Sequence, residues 1–131
     1  MIGIAALLGA ALLAGPQEPG SPVELSVYFG RNSDEVAPSA EELIELAAER
    51  IRQGRPVRIH IEGHTSRAGN ADENQALSLR RAMAVRDALV ANQVPDDVIS
   101  VDALGERSPA TPTADGEHEP LNDRVVVRAE F

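Results

Sequence analysis

The stretch that decides the fold is Gly63-His-Thr-Ser-Arg-Ala-Gly69, followed by Asn74-Gln-Ala-Leu-Ser-Leu-Arg-Arg-Ala-Met-Ala-Val85. A glycine-bounded polar loop leads straight into an amphipathic helix. At about 100° per residue, Leu77, Ala84, Val85 and Ala88 define one apolar face, and Arg81 lies along its centre. Arg86 points away, as a solvated charge should. A guanidinium cannot shed its proton, and leaving one buried without a counter-charge costs several kcal/mol. Arg81 must therefore meet a carboxylate, either of the protein or of a ligand.

Outward from this stretch the periodicities are regular. Val23, Leu25, Val27 and Phe29 alternate with Glu24, Ser26 and Tyr28, the pattern of a half-buried strand. Ser39 and Glu42 have capping-box spacing. Leu43, Ile44, Ala47 and Ile51 then mark a helix that stops at Gly54. Pro56 opens a second strand, with Val57, Ile59 and Ile61 opposite Arg58, His60 and Glu62. The second helix is expected from about Glu73 to Ala91, with Asn74 capping it or ordering the loop. Ile99, Val101 and Ala103 form a third strand ended by Gly105. Residues 106–121 are a loop rich in proline, threonine and acid, and Arg124 to Phe131 is a last strand. The order is β-α-β-α-β-β. Two helices with one apolar stripe each, and strands with one apolar face, predict an α+β fold of two layers, the helices on one face of the sheet.

Ahead of this domain, residues 1–15 are apolar apart from the terminal amine. The run is too short to span a bilayer comfortably and has the length of a signal-peptide core, with Ala14 and Gly15 as small residues for cleavage. It is read as a signal peptide or short N-terminal anchor, so export to the periplasm is expected. Residues 16–22 form a Pro/Gly linker, and 23–131 the domain.

Composition narrows the function. The chain has 131 residues, 43% of them hydrophobic but only 2% aromatic, so its core is aliphatic. A formal charge of −9 argues against nucleic acid, which needs a cationic footprint. With no cysteine, disulfides, thiolate chemistry and lipidation through cysteine are excluded. His60, Glu62 and His64 share one side of a strand and are a conceivable zinc set, but a polar strand surface explains them, and no metal or cofactor is expected. Ser66 beside His64 lacks a nucleophile elbow and an oxyanion hole, so no enzyme is expected. Glu117-His118-Glu119 is read as solvated surface, Arg80 as a rim charge, and Arg124 as either a pocket residue or half of a surface ion pair.

Five motifs in order resemble the OmpA C-terminal-like family, which includes domains of MotB and of the peptidoglycan-associated lipoprotein. They are Y-F-G-R-N-S at 28–33, G-H-T-S-R-A-G at 63–69, N-Q-A-L-S-L-R-R-A-M-A-V at 74–85, G-E-R-S-P at 105–109 and N-D-R-V at 122–125. The resemblance implies a mixed four-stranded sheet of order 1-4-2-3, its last strand antiparallel to the rest. It also implies noncatalytic binding of peptidoglycan through the diaminopimelate of the stem peptide, in the periplasm of a Gram-negative-type envelope, near the outer membrane or cell wall. In that mode Arg81 grips a ligand carboxylate, and Thr65, Ser66, Asn74 and Arg124 complete the site. An envelope protein is the second partner if the domain tethers anything, and no barrel of its own is expected. Two departures stand out. Ser66 replaces the family's loop aspartate, and Asp123 replaces the first arginine of N-R-R-V. Asp123 is either the carboxylate moved to another loop of the same site, or the internal counter-charge of Arg81 or Arg124. The rival function is a diverged protein-interaction domain that has lost wall binding.

Overall fold

A computed structural model of the chain describes residues 10–12 and 21–131. The elements run β1 (Ala10–Leu12), β2 (Val23–Tyr28), α1 (Pro38–Gly54), β3 (Arg58–His64), α2 (Ala71–Ala91), β4 (Ile99–Gly105) and β5 (Arg124–Glu130). Apart from β1, the order is the one expected. The sheet order is β1-β2-β5-β3-β4. β5 runs antiparallel to both β2 and β3, and β3 runs parallel to β4. The four domain strands thus form the mixed 1-4-2-3 sheet, and β5 is the strand antiparallel to the others. β1 is an addition that apolar patterning did not announce: Ala10, Ala11 and Leu12 pair antiparallel with Val27, Ser26 and Leu25. The rest of the leader, and the linker up to Gly20, lie outside the described residues.

Side chains on one sheet face and on both helices merge into one core. Leu25, Val27, Ile59, Ile61, Val125, Val127 and Ala129 meet Ile44, Ala47, Ile51, Ala82, Val85 and Leu89, all essentially inaccessible. Each such Val, Leu or Ile contributes about 1.5–3 kcal/mol on burial. The opposite face is polar. Arg128 bridges Glu24 (3.3 Å) and Glu62 (3.0 Å) across three neighbouring strands, and Arg58 pairs with Glu130 at 2.7 Å.

Both helix starts differ from the sequence reading. α1 begins at Pro38 after an extended Ala37, and no side chain caps it. Ser39 is already inside the first turn, because proline at the first helical position supplies the required φ and has no N–H to satisfy. α2 begins at Ala71 and is capped by Asn70, whose Oδ1 accepts from the backbone N–H groups of Asp72 (2.8 Å) and Glu73 (3.0 Å). Such a cap contributes about 1 kcal/mol. At the end of α1 the left-handed residue is Arg55 (φ 55°) rather than Gly54. Gly54 is needed for space: a Cβ there would stand 2.4 Å from the Phe131 ring.

Candidate functional site

Three loops meet at the start of α2: residues 29–37, residues 65–70, and the segment that enters β5. Arg81 holds them together. Its side chain is wholly buried. Nε donates to the Ser33 carbonyl (2.6 Å), Nη2 to the Gly30 carbonyl (3.0 Å), and Nη1 to the His64 carbonyl (3.0 Å) and to Asp123 Oδ1 (2.8 Å). Four of its five N–H donors are thereby used. The Phe29 ring lies 5.3 Å from the guanidinium carbon, within cation–π range. Burial pulls the Arg81 pKa below its ordinary value, and the bond and charge of Asp123 oppose that pull.

Asp123 is 2% exposed and serves three partners. Besides Arg81, Oδ1 accepts the Ser66 backbone N–H at 3.1 Å, and Oδ2 lies 2.9 Å from His118 Nε2. Of the alternatives open in the sequence, the described structure realises the internal ion pair with Arg81. The carboxylate also stands against Ser66, the position where the resemblance expected an aspartate. His118 was read as solvated surface, yet it sits on the second oxygen of Asp123 with only a quarter of its side chain exposed.

The other residues singled out in the sequence converge unevenly. Thr65 and Ser66 are buried in the loop; the Thr65 amide donates to Gly105 O at 2.8 Å, tying the loop to the end of β4. Asn74 does not cap the helix. Its Nδ2 reaches the carbonyls of Ala68 (2.9 Å) and Ser66 (3.4 Å) and Glu106 Oε1 (3.1 Å), so it orders the loop from inside. Glu106 is a partner that sequence reasoning missed, although it stands in the G-E-R-S-P motif. Arg124 is half-buried, and its Nη2 donates to Ser108 O at 3.4 Å while Nη1 has no partner among the described residues. Burial lowers its pKa as well. Arg80 is a rim charge, 3.1 Å from Asp34.

On the polar sheet face, His60 Nε2 and His64 Nε2 approach the two oxygens of Glu62 at 3.5 and 3.8 Å, but Arg128 already occupies that carboxylate. Burial raises Glu62, and the bond and charge of Arg128 outweigh it, leaving the pKa below the usual value. His64 is 2% exposed, and burial, reinforced by the charge of Arg124, pushes its pKa down from 6.5 to about 4. The unfolded chain therefore binds this proton more tightly than the native one. The resulting stability is complete above the unfolded pKa and is lost as pH falls from 6.5 toward 4. Between pH 7 and pH 5 the loss due to His64 is expected to be about 2 kcal/mol. Urea midpoints across that range should show it, and His64→Gln should flatten the profile. An unchanged slope in the variant would assign the effect elsewhere.

An open cleft of about 190 Å³ runs along the first turns of α2, with Asn32, Gly69, Asn70, Glu73, Asn74 and Arg80 in its walls.

With this geometry in view, comparison with known proteins gives a consistent result. The OmpA family matches residues 28–123. Over 101 residues the chain is 31% identical to the peptidoglycan-binding protein ArfA of Mycobacterium tuberculosis, covering 77% of this chain and 31% of ArfA. It is 30% identical over 124 residues to the peptidoglycan-associated lipoprotein of Rhizobium meliloti, covering 90% of this chain and 70% of the relative. The crystal structure of the peptidoglycan-associated lipoprotein from Burkholderia pseudomallei superposes with a TM-score of 0.73 at 30% identity, covering 80% of this chain and 89% of that one. The chain spans less than a third of the length of ArfA. The matched stretch contains four of the five motifs whole and the first two residues, Asn122 and Asp123, of the fifth, and on that ground the chain belongs to the OmpA family.

Proposed function

We propose that this chain is a noncatalytic peptidoglycan-binding module of the cell envelope, acting in the periplasm and recognising the diaminopimelate-bearing stem peptide. The observation that carries the proposal is the three-loop junction around Arg81. Arg81 ties the 29–37 loop, the end of β3 and the entry to β5 together, and Asn74, which lines the open cleft, bonds the 65–70 loop, the kind of cross-linked arrangement that a preorganised binding site requires. In this reading Asn74 lines the cleft itself, while Thr65, Ser66, Arg81 and Arg124 support the loops around it. Arg81 acts through the Gly30 and Ser33 carbonyls, which flank Asn32 at the cleft. An envelope protein is the proposed second partner if the module tethers other components. The relatives whose names include peptidoglycan support the wall as ligand.

One observation favours a second reading. Arg81 is already neutralised by Asp123, which suits a diverged protein-interaction domain that no longer needs a ligand carboxylate. Co-sedimentation with purified sacculi separates the two. The wall-binding reading expects the protein in the pellet and its release by free diaminopimelate; a protein that stays in the supernatant at low salt belongs to the second reading. The carboxylate exchange Ser66→Asp/Asp123→Ser returns the acid to the loop while keeping one carboxylate per guanidinium. It is expected to tighten sacculus binding about tenfold, or 1.4 kcal/mol. Ser66→Asp alone should not, because it crowds two carboxylates around Arg81.

A further inference from the structure

A second open cleft, of about 400 Å³, lies at the opposite end of the domain from the loops around Arg81. Pro56 in its wall stands just before β3, and Pro95, Asp97 and Val98 stand at the entry to β4. The two strands are parallel and run from there toward Thr65 and Gly105. Seven residues of β3 put the two ends about 20 Å apart. A ligand in one cleft therefore leaves the other open.

The cations of this second cleft are unmatched. Arg52 and Arg55 line it, both are exposed, and neither guanidinium has a partner among the described residues. By contrast Arg58, Arg67, Arg80, Arg81, Arg86 and Arg128 are each paired with a carboxylate. In a chain of net charge −9, two free cations in one cleft stand against the prevailing field. The backbone carries an independent signal. Arg55 (φ 55°) and Gln93 (φ 71°) both line this cleft in the left-handed conformation, which costs stability for any residue but glycine. Asn32 (φ 57°), the one other such residue among those described, lines the cleft along α2. Directly after a helix, the position of Arg55 is where glycine is favoured. An arginine held there points to a use for its side chain.

We propose that this cleft docks an acidic peptide segment of an envelope protein, with Arg52 and Arg55 gripping its carboxylates. Guanidinium forks match carboxylates in shape and charge. Pro56, Pro95 and Val98 offer an apolar wall to an aliphatic side chain of the segment. Asp97, exposed and without a partner among the described residues, can accept a peptide N–H. The same aspartate disfavours a phosphate, and the 21 acidic residues of the chain disfavour an anionic membrane. Only the idea that this partner is thereby tethered to the wall rests on the peptidoglycan reading; the docking itself does not.

Displayed random twelve-residue peptides selected on the full chain, with the Arg52→Gln/Arg55→Gln double variant as counter-target, test the assignment. Enriched peptides are expected to carry Asp or Glu beside an aliphatic residue. For the best of them, made synthetically, Arg55→Gly should weaken binding about tenfold while the melting temperature stays level or rises, since glycine relieves the left-handed backbone. Glu→Gln in the peptide should cost about as much, and the two losses should not add, because both remove one contact. Sacculus binding by Arg55→Gly should equal that of the unaltered protein. The proposal is overturned if the enriched peptides are not acidic or bind the double variant equally well. It is also overturned if inorganic phosphate or phosphatidylglycerol vesicles displace the peptide as readily as free glutamate does. Acidic peptides that bind as expected to a chain that ignores sacculi would overturn the wall reading alone.

Discussion

Arg81→Leu is expected to destabilise the protein by about 3–5 kcal/mol, the cost of breaking a buried ion pair from one side. The leucine would fill part of the space, but the Asp123 carboxylate would lose its guanidinium in a site that is 2% exposed, with the Ser66 N–H and His118 as its remaining partners among the described residues. The carbonyls of Gly30, Ser33 and His64 would lose their donor at the same time. Asp123→Asn should be similarly costly, because it leaves the guanidinium without a counter-charge. In the double variant the charge penalty is paid by neither partner, so the two losses should fall short of additivity by about 2 kcal/mol. Denaturant unfolding of the four proteins measures this directly. An Arg81→Leu protein as stable as the parent, or more stable, would mean that nothing inside the fold matches the arginine and that its partner is a ligand.

Gly63→Ala is the second change with a large expected effect. At Gly63 strand β3 crosses directly beneath α2, and an added Cβ would fall 1.9 Å from the Ser78 carbonyl oxygen and 2.8 Å from its carbon. These are backbone atoms in the middle of a 21-residue helix, so no side-chain rotation relieves the clash. Either α2 lifts from the sheet or β3 bends, and the contacts of Ala82 and Val85 loosen in both cases. Overpacking ordinarily costs about 1–3 kcal/mol; with backbone as the obstacle, about 3 kcal/mol or more is expected. Because α2 carries Asn74 and Arg81, sacculus binding should fall with stability. A Gly63→Ala protein with the parental melting temperature would show that the helix and strand are not held this closely.

The domain elements were legible because their signals are local. Val23–Phe29 alternates cleanly, and the apolar positions of both helices recur at helical spacing. Arg81 was conspicuous for the same reason: a charge among apolar neighbours breaks a pattern that spans only one helix. Helix starts were less legible. Asn70 and Asn74 are both plausible caps by type, and only the backbone conformation of Asn70 decides between them. Pro38 outcompeted Ser39 because a proline in the first turn already fixes the required backbone angle. The strand order came from the family resemblance, since periodicity reveals which face a strand buries but not its neighbours. β1 lay hidden in a run that reads as a leader, where uniform apolarity gives no period to detect.

The residues that gather around Arg81 stood out in the sequence, but their pairings did not. Arg81 and Asp123 stand 42 residues apart, and their meeting depends on how the segment from 106 to 122 returns to the sheet. Asn122 fixes that return through paired bonds to Thr111, both 2.8 Å, a link that composition does not reveal. His118 was misread for the same reason, since it reaches Asp123 only once the loop has folded back. The substitutions at 66 and 123 were each visible as departures. Their relation, a carboxylate on one loop bonding the backbone of the other, needed the fold.

Following backbone amides by NMR while the full chain is titrated with the soluble stem tripeptide tests the account most directly. The predicted result is saturable shifts at Asn32, Gly69, Asn70, Glu73, Asn74 and Arg80, with the Ser66 amide still protected from hydrogen exchange by its bond to Asp123. No response at these positions, or a Ser66 amide that loses protection as ligand carboxylate displaces Asp123 from Arg81, would contradict it.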